Sequence, residues 1–417
     1  MVEISTSPKA PSIIEYKPQL DGLRFCAVFT VLLYHYLPLV QNLNGVNLPI
    51  FIVFFFVLSS YLVTKILLLS KEKGLEAGFA KGQIAGVFLL RRTLRIFPAY
   101  YFYLLILLLL PYAGNNVKEN AASFFLYLSN FHLFFTLDWG LLTPHLWTLA
   151  VEEQFYLLWP WLILFTPNKY LYKVFTLVIA SGILFRVVMF ALMEDKEEAM
   201  VTLHVLMPSC LDAFGLGGLL AYLHTQGKTS NPILKKLFWI GIPIYAIPAL
   251  AGFYAFSNAF DRVFVAIFTM VVIEGANKGF KNRVGRFLEN KVVLYLAKIS
   301  YGIYLYHILV AHLFWRTVDK IAIYAHDRLG IDMSPLVNFM AKPWVCFVIY
   351  SVLSVLFAAA SWHFLERPVN NLKRFFTYKG NNKKVAAPAH EIPVTQGKAA
   401  SFHQRNDDKQ LEKVSVP

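Results

Sequence analysis

Apolar residues gather along the chain into long runs separated by short polar stretches. Ten such runs stand out, at about 22–40, 49–69, 97–112, 149–165, 172–192, 207–224, 235–253, 259–276, 292–315 and 344–364. Each approaches the roughly 20 residues that an α-helix needs to cross a hydrocarbon core. The pattern predicts an all-α fold: a polytopic integral membrane protein of about ten transmembrane helices. The segment 121–136 is also apolar, and loop charge decides how it is read. With the amino terminus inside, the stretch from Lys65 to Arg95 carries Lys65, Lys71, Lys73, Lys81, Arg91, Arg92 and Arg95 on the cytoplasmic side. Later inside loops carry Lys169, Lys173, Lys228, Lys235, Lys236, Lys278, Lys281, Arg283, Arg286 and Lys291. Outside loops are poor in Lys and Arg, and Glu194, Asp195, Glu197 and Glu198 surround Lys196 in one of them. Only Arg316–Lys342 is mixed. A spanning 121–136 would invert every later loop, so it is expected to be a re-entrant or interfacial helix on the outer side, with both termini in the cytoplasm.

Composition agrees with a membrane setting. The 417 residues are 57% hydrophobic and only 15% charged, where a soluble domain is nearer a quarter charged; mean hydropathy is +0.52. The first 17 residues are polar and lack a signal-peptide pattern. Residues 18–370 form the expected membrane domain. The basic stretch 371–417, rich in Lys, Asn, Ala, Pro and Gln towards its end, is expected to be a disordered cytoplasmic tail. Cys26, Cys210 and Cys346 all sit in apolar runs, so neither a disulfide framework nor a zinc-type spacing is present. The net charge of +14 follows from cytoplasmic loops and tail and implies no nucleic acid. No internal repeat is evident, and no separate soluble catalytic domain is expected beside the helices. Any chemistry must use membrane helices and their loops.

Three constellations carry that chemistry. Arg24 and His35 share the first run, eleven residues apart. At about 100° per residue they fall on one helix face, about 16 Å apart along the axis. Ionisable groups in lipid should face a protein interior or a wet cavity. The plain alternative is a snorkelling arginine and a satisfied interfacial histidine. Arg92 and Arg95, with Arg91 adjoining, are three apart and share a face at the mouth of the third run. Paired guanidinia suit phosphate, although the positive-inside rule alone explains many such clusters. Glu152 and Glu153 enter the fourth run about 100° apart, so they cannot face one partner. They are expected at the depth of His35, where a carboxylate would fix the imidazole for general-base catalysis on a hydroxyl. First-turn acids also simply favour a helix dipole, and one of the two is expected to be structural. His307 falls in the ninth run and Glu366–Arg367 near the end of the tenth. Asp212, Asp261, Arg262 and Glu274 are read as structural or interfacial.

Together these motifs resemble the membrane-bound acyltransferase-3 family of bacterial polysaccharide O-acetyltransferases. The matching pieces are LDGLR…H over Leu20–His35, FFVLSSYL over Phe55–Leu62, RRTLRIFP over Arg91–Pro98, WTLAVEEQFYLLWP over Trp147–Pro160, SYGIYLYH over Ser300–His307 and ERP at Glu366–Pro368. They run in the family's order over about residues 18–370. The family often has Gly where Ser60 stands, which bears on close helix packing there. The resemblance implies that Arg24 and His35 are an arginine–x10–histidine catalytic motif and that Arg92 and Arg95 lie near an acyl-CoA donor. It implies cytoplasmic acetyl-CoA as donor and a carbohydrate hydroxyl at the outer face as acceptor, and no metal is expected. Many relatives carry a further extracytoplasmic domain, and this chain resembles the stand-alone form. The expected function is an O-acyltransferase of the cell membrane, contacting lipid and a carbohydrate partner, with no oligomeric state assigned. His35 is the expected general base, assisted by Glu152 or Glu153; an acyl-histidine route is the variant. The competing class is a proton-coupled transporter or flippase, which has no need of Arg92 and Arg95 as a matched pair.

Overall fold

The computed structural model describes residues 16–38, 50–110, 115–195, 198, 203–228, 236, 239–240, 254–376, 378–380 and 383–385. The helices that build the site and its frame are α1 (Pro18–Tyr36), α2 (Ile50–Glu76), α3 (Lys81–Leu109), α4 (Leu146–Phe165), α5 (Leu171–Leu192), α6 (Leu211–Thr225), α7 (Tyr254–Lys278), α8 (Lys291–Lys298), α9 (Ser300–Leu329) and α10 (Pro343–Ser361). Strand among the described residues is confined to one antiparallel hairpin, Tyr378–Gly380 with Lys383–Val385. That hairpin and the 3-10 turn Asn371–Phe375 fall in the stretch expected to be disordered; the tail beyond 385 lies outside the described residues.

Four stretches are long and apolar enough to cross a membrane: Ile52–Glu76, Lys81–Leu109, Asn168–Leu192 and Pro343–Phe375. α8 and α9 meet at 70° and make a fifth if taken as one broken span. The chain is therefore a helical protein with several candidate spans, and the expected ten are not reached among the described residues. The physical reason is local. α1 carries Gln19, Asp21, Arg24 and His35, and α4 carries Glu152, Glu153 and Gln154, so the groups that suggest chemistry are those that depress apolar character. The run at 235–253 lies almost wholly outside the described residues.

α2 and α6 pack most extensively against each other. Gly217 explains how: a Cβ there would collide with the Val57 carbonyl of α2. Ser60 is fully buried at the same crossing and donates to the Phe214 carbonyl at 2.5 Å. The small residue at the crossing stands on α6, so Ser60 does not prevent close approach.

α3 corrects an expectation. It runs unbroken from Lys81 to Leu109, so Arg91, Arg92 and Arg95 stand within a helix rather than at its mouth. Most residues from Gln83 to Arg95 are good helix formers with no breaker stronger than Gly86. Segment 121–136 forms two short helices, Ala121–Phe125 and Ser129–Thr136, neither able to span. Tyr127 between them takes a left-handed φ of 54°, a conformation that disfavours a Cβ. The break is held from both sides. Tyr100 and Tyr101 of α3 donate to the Phe124 and Phe125 carbonyls at 2.7 and 2.9 Å. Gln154 of α4 donates to the Tyr127 carbonyl at 3.0 Å, and the Tyr127 ring stacks on Tyr100 at 4.1 Å. Irregular backbone at membrane depth requires such internal partners.

Candidate active site

Between α1, α2, α3, α4 and α9 lies a cavity of about 110 Å³, and Arg24, Arg92, Arg95 and Glu152 all line it. The i,i+3 spacing on α3 turns Arg92 and Arg95 to the same space, as the sequence predicted. Arg91, next along, does not line it. Arg24 is held by Asp21 one turn earlier, at 2.5 Å. The Arg92 guanidinium lies over the Tyr156 ring, 4.9 Å from its centre, a stabilising cation–π contact. Tyr156 is itself fixed: its hydroxyl is 2.7 Å from Ser59 Oγ and donates to Glu152 Oε2 at 3.3 Å. The cavity thus holds three guanidinia against one lining carboxylate. Arg24 is paired with Asp21, whereas Arg92 and Arg95 line the cavity with no hydrogen bond or ion pair among the described residues. Guanidinium donors with no carboxylate at ion-pair distance suit a phosphorylated ligand, so the residues present fit the acyl-CoA class.

The adjacent acids have different surroundings. Glu152 faces the cavity. Glu153 points elsewhere, with a buried Oε1 that has no hydrogen-bond partner among the described residues, near Tyr100, Tyr127 and Tyr301. Neither carboxylate meets His35. Glu152 is not at the expected depth: it shares a space with Arg24 near the start of α1, whereas His35 stands near the end of α1.

His35 instead meets rings. Tyr34 lies 5.1 Å away and His307 of α9 lies 4.8 Å away, centre to centre. His145, just before α4, is 5.1 Å from His307 on its other side. His307 Nδ1 donates to the Tyr304 carbonyl at 2.6 Å, and His145 Nε2 donates to the Leu305 carbonyl at 2.9 Å. A carbonyl only accepts, so those nitrogens carry the hydrogens, and His307 Nε2 and His145 Nδ1 keep their lone pairs. Both lone-pair nitrogens are buried and without a hydrogen-bond partner. Among the described residues no His, Cys, Asp or Glu group is arranged to hold a metal ion. Tyr304 joins the two regions. Its ring lines the arginine cavity, its hydroxyl is 2.5 Å from that of Thr148, and its carbonyl holds His307. Sequence reasoning gave His307 a place but no role. Its partner lies on a helix far away in the chain, and periodicity carries no signal for that.

An acyltransferase-3 family model, described as an acyltransferase domain, matches residues 17–363. The chain belongs to the acyltransferase-3 family. Its similarity to curated relatives in this family is distant. It is 29% identical over 328 residues to the peptidoglycan O-acetyltransferase OatA of Listeria monocytogenes serovar 1/2a, covering 70% of this chain and 49% of the relative. It is 26% identical over 407 residues to the O-acetyltransferase OatA of Staphylococcus aureus strain MRSA252, covering 91% and 61%. The same comparison with strain NCTC 8325 gives 26% over 382 residues, covering 85% and 57%. The chain thus spans about half to three-fifths of the length of these relatives. No solved structure matches. The matched region contains α1 to α10 and every cavity-lining group named above.

Proposed function

We propose that this acyltransferase-3 protein moves an acyl group, in the simplest case acetyl, from cytoplasmic acyl-CoA to a hydroxyl of a cell-surface carbohydrate. One observation carries the reading. Arg24, Arg92, Arg95 and Glu152, from three helices, line one cavity whose wall at Tyr304 adjoins the His35–His307 contact. Arg92 and Arg95 hold phosphate of the donor, with Arg24 on the opposing wall, and Glu152 limits repulsion among the three cations. In this orientation both termini and the arginine end face the cytoplasm, and the histidine end faces outward. The Listeria relative, a peptidoglycan O-acetyltransferase, supports a carbohydrate acceptor of the peptidoglycan class. His35 accepts the proton of the acceptor hydroxyl as its oxygen attacks the thioester carbonyl. The carbon–sulfur bond breaks, and the proton passes from His35 to the departing thiolate. A carrier would leave two guanidinia without a task.

The test is mass spectrometry of the host's surface polysaccharide, from cells expressing wild type or His35→Ala at matched membrane levels. The expected result is an acetyl-sized increment with wild type that falls about 10²–10⁴-fold in the variant. An undiminished increment in His35→Ala would overturn His35 as the base. Donor-independent substrate uptake without any increment would overturn acyl transfer.

A further inference from the structure

We infer that His307 is the positioning residue for His35, accepting the His35 ring N–H on its bare Nε2 and so leaving the other His35 nitrogen free to take the hydroxyl proton. The inference rests on the reading of His35 as the base and deepens it. A general base of this kind works only in one tautomer and orientation, which a neighbouring acceptor fixes. The sequence suggests a carboxylate for that task, and neither Glu152 nor Glu153 is there. His307 is. It is fully buried on α9, and its ring is 4.8 Å from that of His35.

Its own tautomer is already fixed. Nδ1 is committed to the Tyr304 carbonyl at 2.6 Å, so only Nε2 remains, unpartnered and shielded from solvent. A buried acceptor without a donor is costly, and no described hydrogen bond relieves it. The ring is braced as well. The Tyr36 hydroxyl donates to the His307 carbonyl at 2.7 Å and lies 2.9 Å from Ser354 Oγ, tying α1, α9 and α10 together at this level. Tyr36 is the residue after His35, so the clamp that holds His307 also sets the end of α1 that presents the base. His145 is less well placed: its ring packs against His307, and it makes no ring contact or hydrogen bond with His35 among the described residues. His35 itself makes no hydrogen bond among the described residues, so its N–H is available to the acceptor beside it.

The test uses the full chain in native membranes, supplied with acetyl-CoA and a peptidoglycan fragment, and reads thiol release. His307→Asn keeps a side-chain N–H for the Tyr304 carbonyl but has no group at the Nε2 position. His307→Gln places a carbonyl oxygen near that position. The expected result is a fall of about tenfold or more in kcat for His307→Asn, with KM for acetyl-CoA unchanged, and partial recovery in His307→Gln. A second readout needs neither donor nor acceptor: the rate at which diethyl pyrocarbonate modifies His35, followed by peptide mass spectrometry. Loss of the acceptor lowers the nucleophilicity of the free nitrogen, so His307→Asn should slow the modification. Mere removal of a packed ring should open access and speed it. Wild-type kcat in His307→Asn alongside an inactive His35→Ala overturns the positioning role and leaves His35 as the base. Full activity in His35→Ala overturns the base assignment and this inference with it. Faster modification in His307→Asn, or equal loss in Asn and Gln variants, overturns the orienting acceptor.

Discussion

The protein buries arginines in two ways, and the contrast separates structure from function. Arg186 of α5 and Arg262 of α7 are each about 1% exposed. Arg186 is paired with Asp212 of α6 at 2.7 Å and also donates to the Ser209 carbonyl. Arg262 donates to the His204 carbonyl at 2.6 Å and to Cys210 Sγ at 2.8 Å. Their terminal guanidinium nitrogens are directed at groups of the protein itself, in a knot that joins α5, α6, α7 and the turn before α6. Arg92 and Arg95 have side chains that make no hydrogen bond among the described residues, and they open onto a cavity. A charge in the membrane is structural where the fold supplies its partners; in the proposed function Arg92 and Arg95 take theirs from the donor. Arg24 stands between these cases, with one carboxylate partner and one face in the cavity.

The largest effect expected on this contrast is at the knot. Asp212→Ala leaves Arg186 uncompensated and should destabilise the fold by about 3–5 kcal/mol, read as a lower unfolding temperature in detergent. Replacing both partners, Arg186→Met with Asp212→Leu, should recover most of that loss. If Asp212→Ala unfolds at the wild-type temperature, the knot is not structural. Next comes the cavity. Arg95→Ala should leave the unfolding temperature near wild type and raise KM for acetyl-CoA about tenfold or more. Arg92→Lys should recover little of an Arg92→Ala loss, because an ammonium cannot grip phosphate bidentately. A large drop in stability from either change would erase the distinction between the two kinds of arginine.

How much of this the sequence displayed follows from the range of each interaction. The apolar runs near 49–69, 172–192 and 344–364 are visible because a span is a local property, and the structure has long apolar helices at each. The shared face of Arg92 and Arg95 is legible because i,i+3 neighbours need only a helix. Segment 121–136 is legible as non-spanning through loop charge, while the clamp of Tyr100, Tyr101 and Gln154 that holds its break depends on two other helices. Arg186 was invisible as a charge of consequence, since its partner Asp212 belongs to another helix, and Asp212 alone read as one more structural acid. The same limit misplaced the carboxylate beside His35. Helical phase separates Glu152 from Glu153 by angle, but depth depends on how α4 slides against α1, and no local pattern encodes that.

The acid pair offers the smallest effect. Glu152→Gln should lower turnover several-fold, by altering the charge balance around Arg92 and Arg95. Glu153→Gln should change it less, since Glu153 lies outside the cavity. The opposite order in steady-state kinetics would mean that the cavity does not mark the reacting space.

The most direct measurement is isothermal titration of free coenzyme A into the purified protein in lipid nanodiscs, with wild type, Arg95→Ala and Asp195→Ala as a remote control. The account predicts saturable binding to wild type and control and binding at least about tenfold weaker in Arg95→Ala. Equal affinity in all three would contradict the claim that the arginine cavity receives the phosphorylated donor.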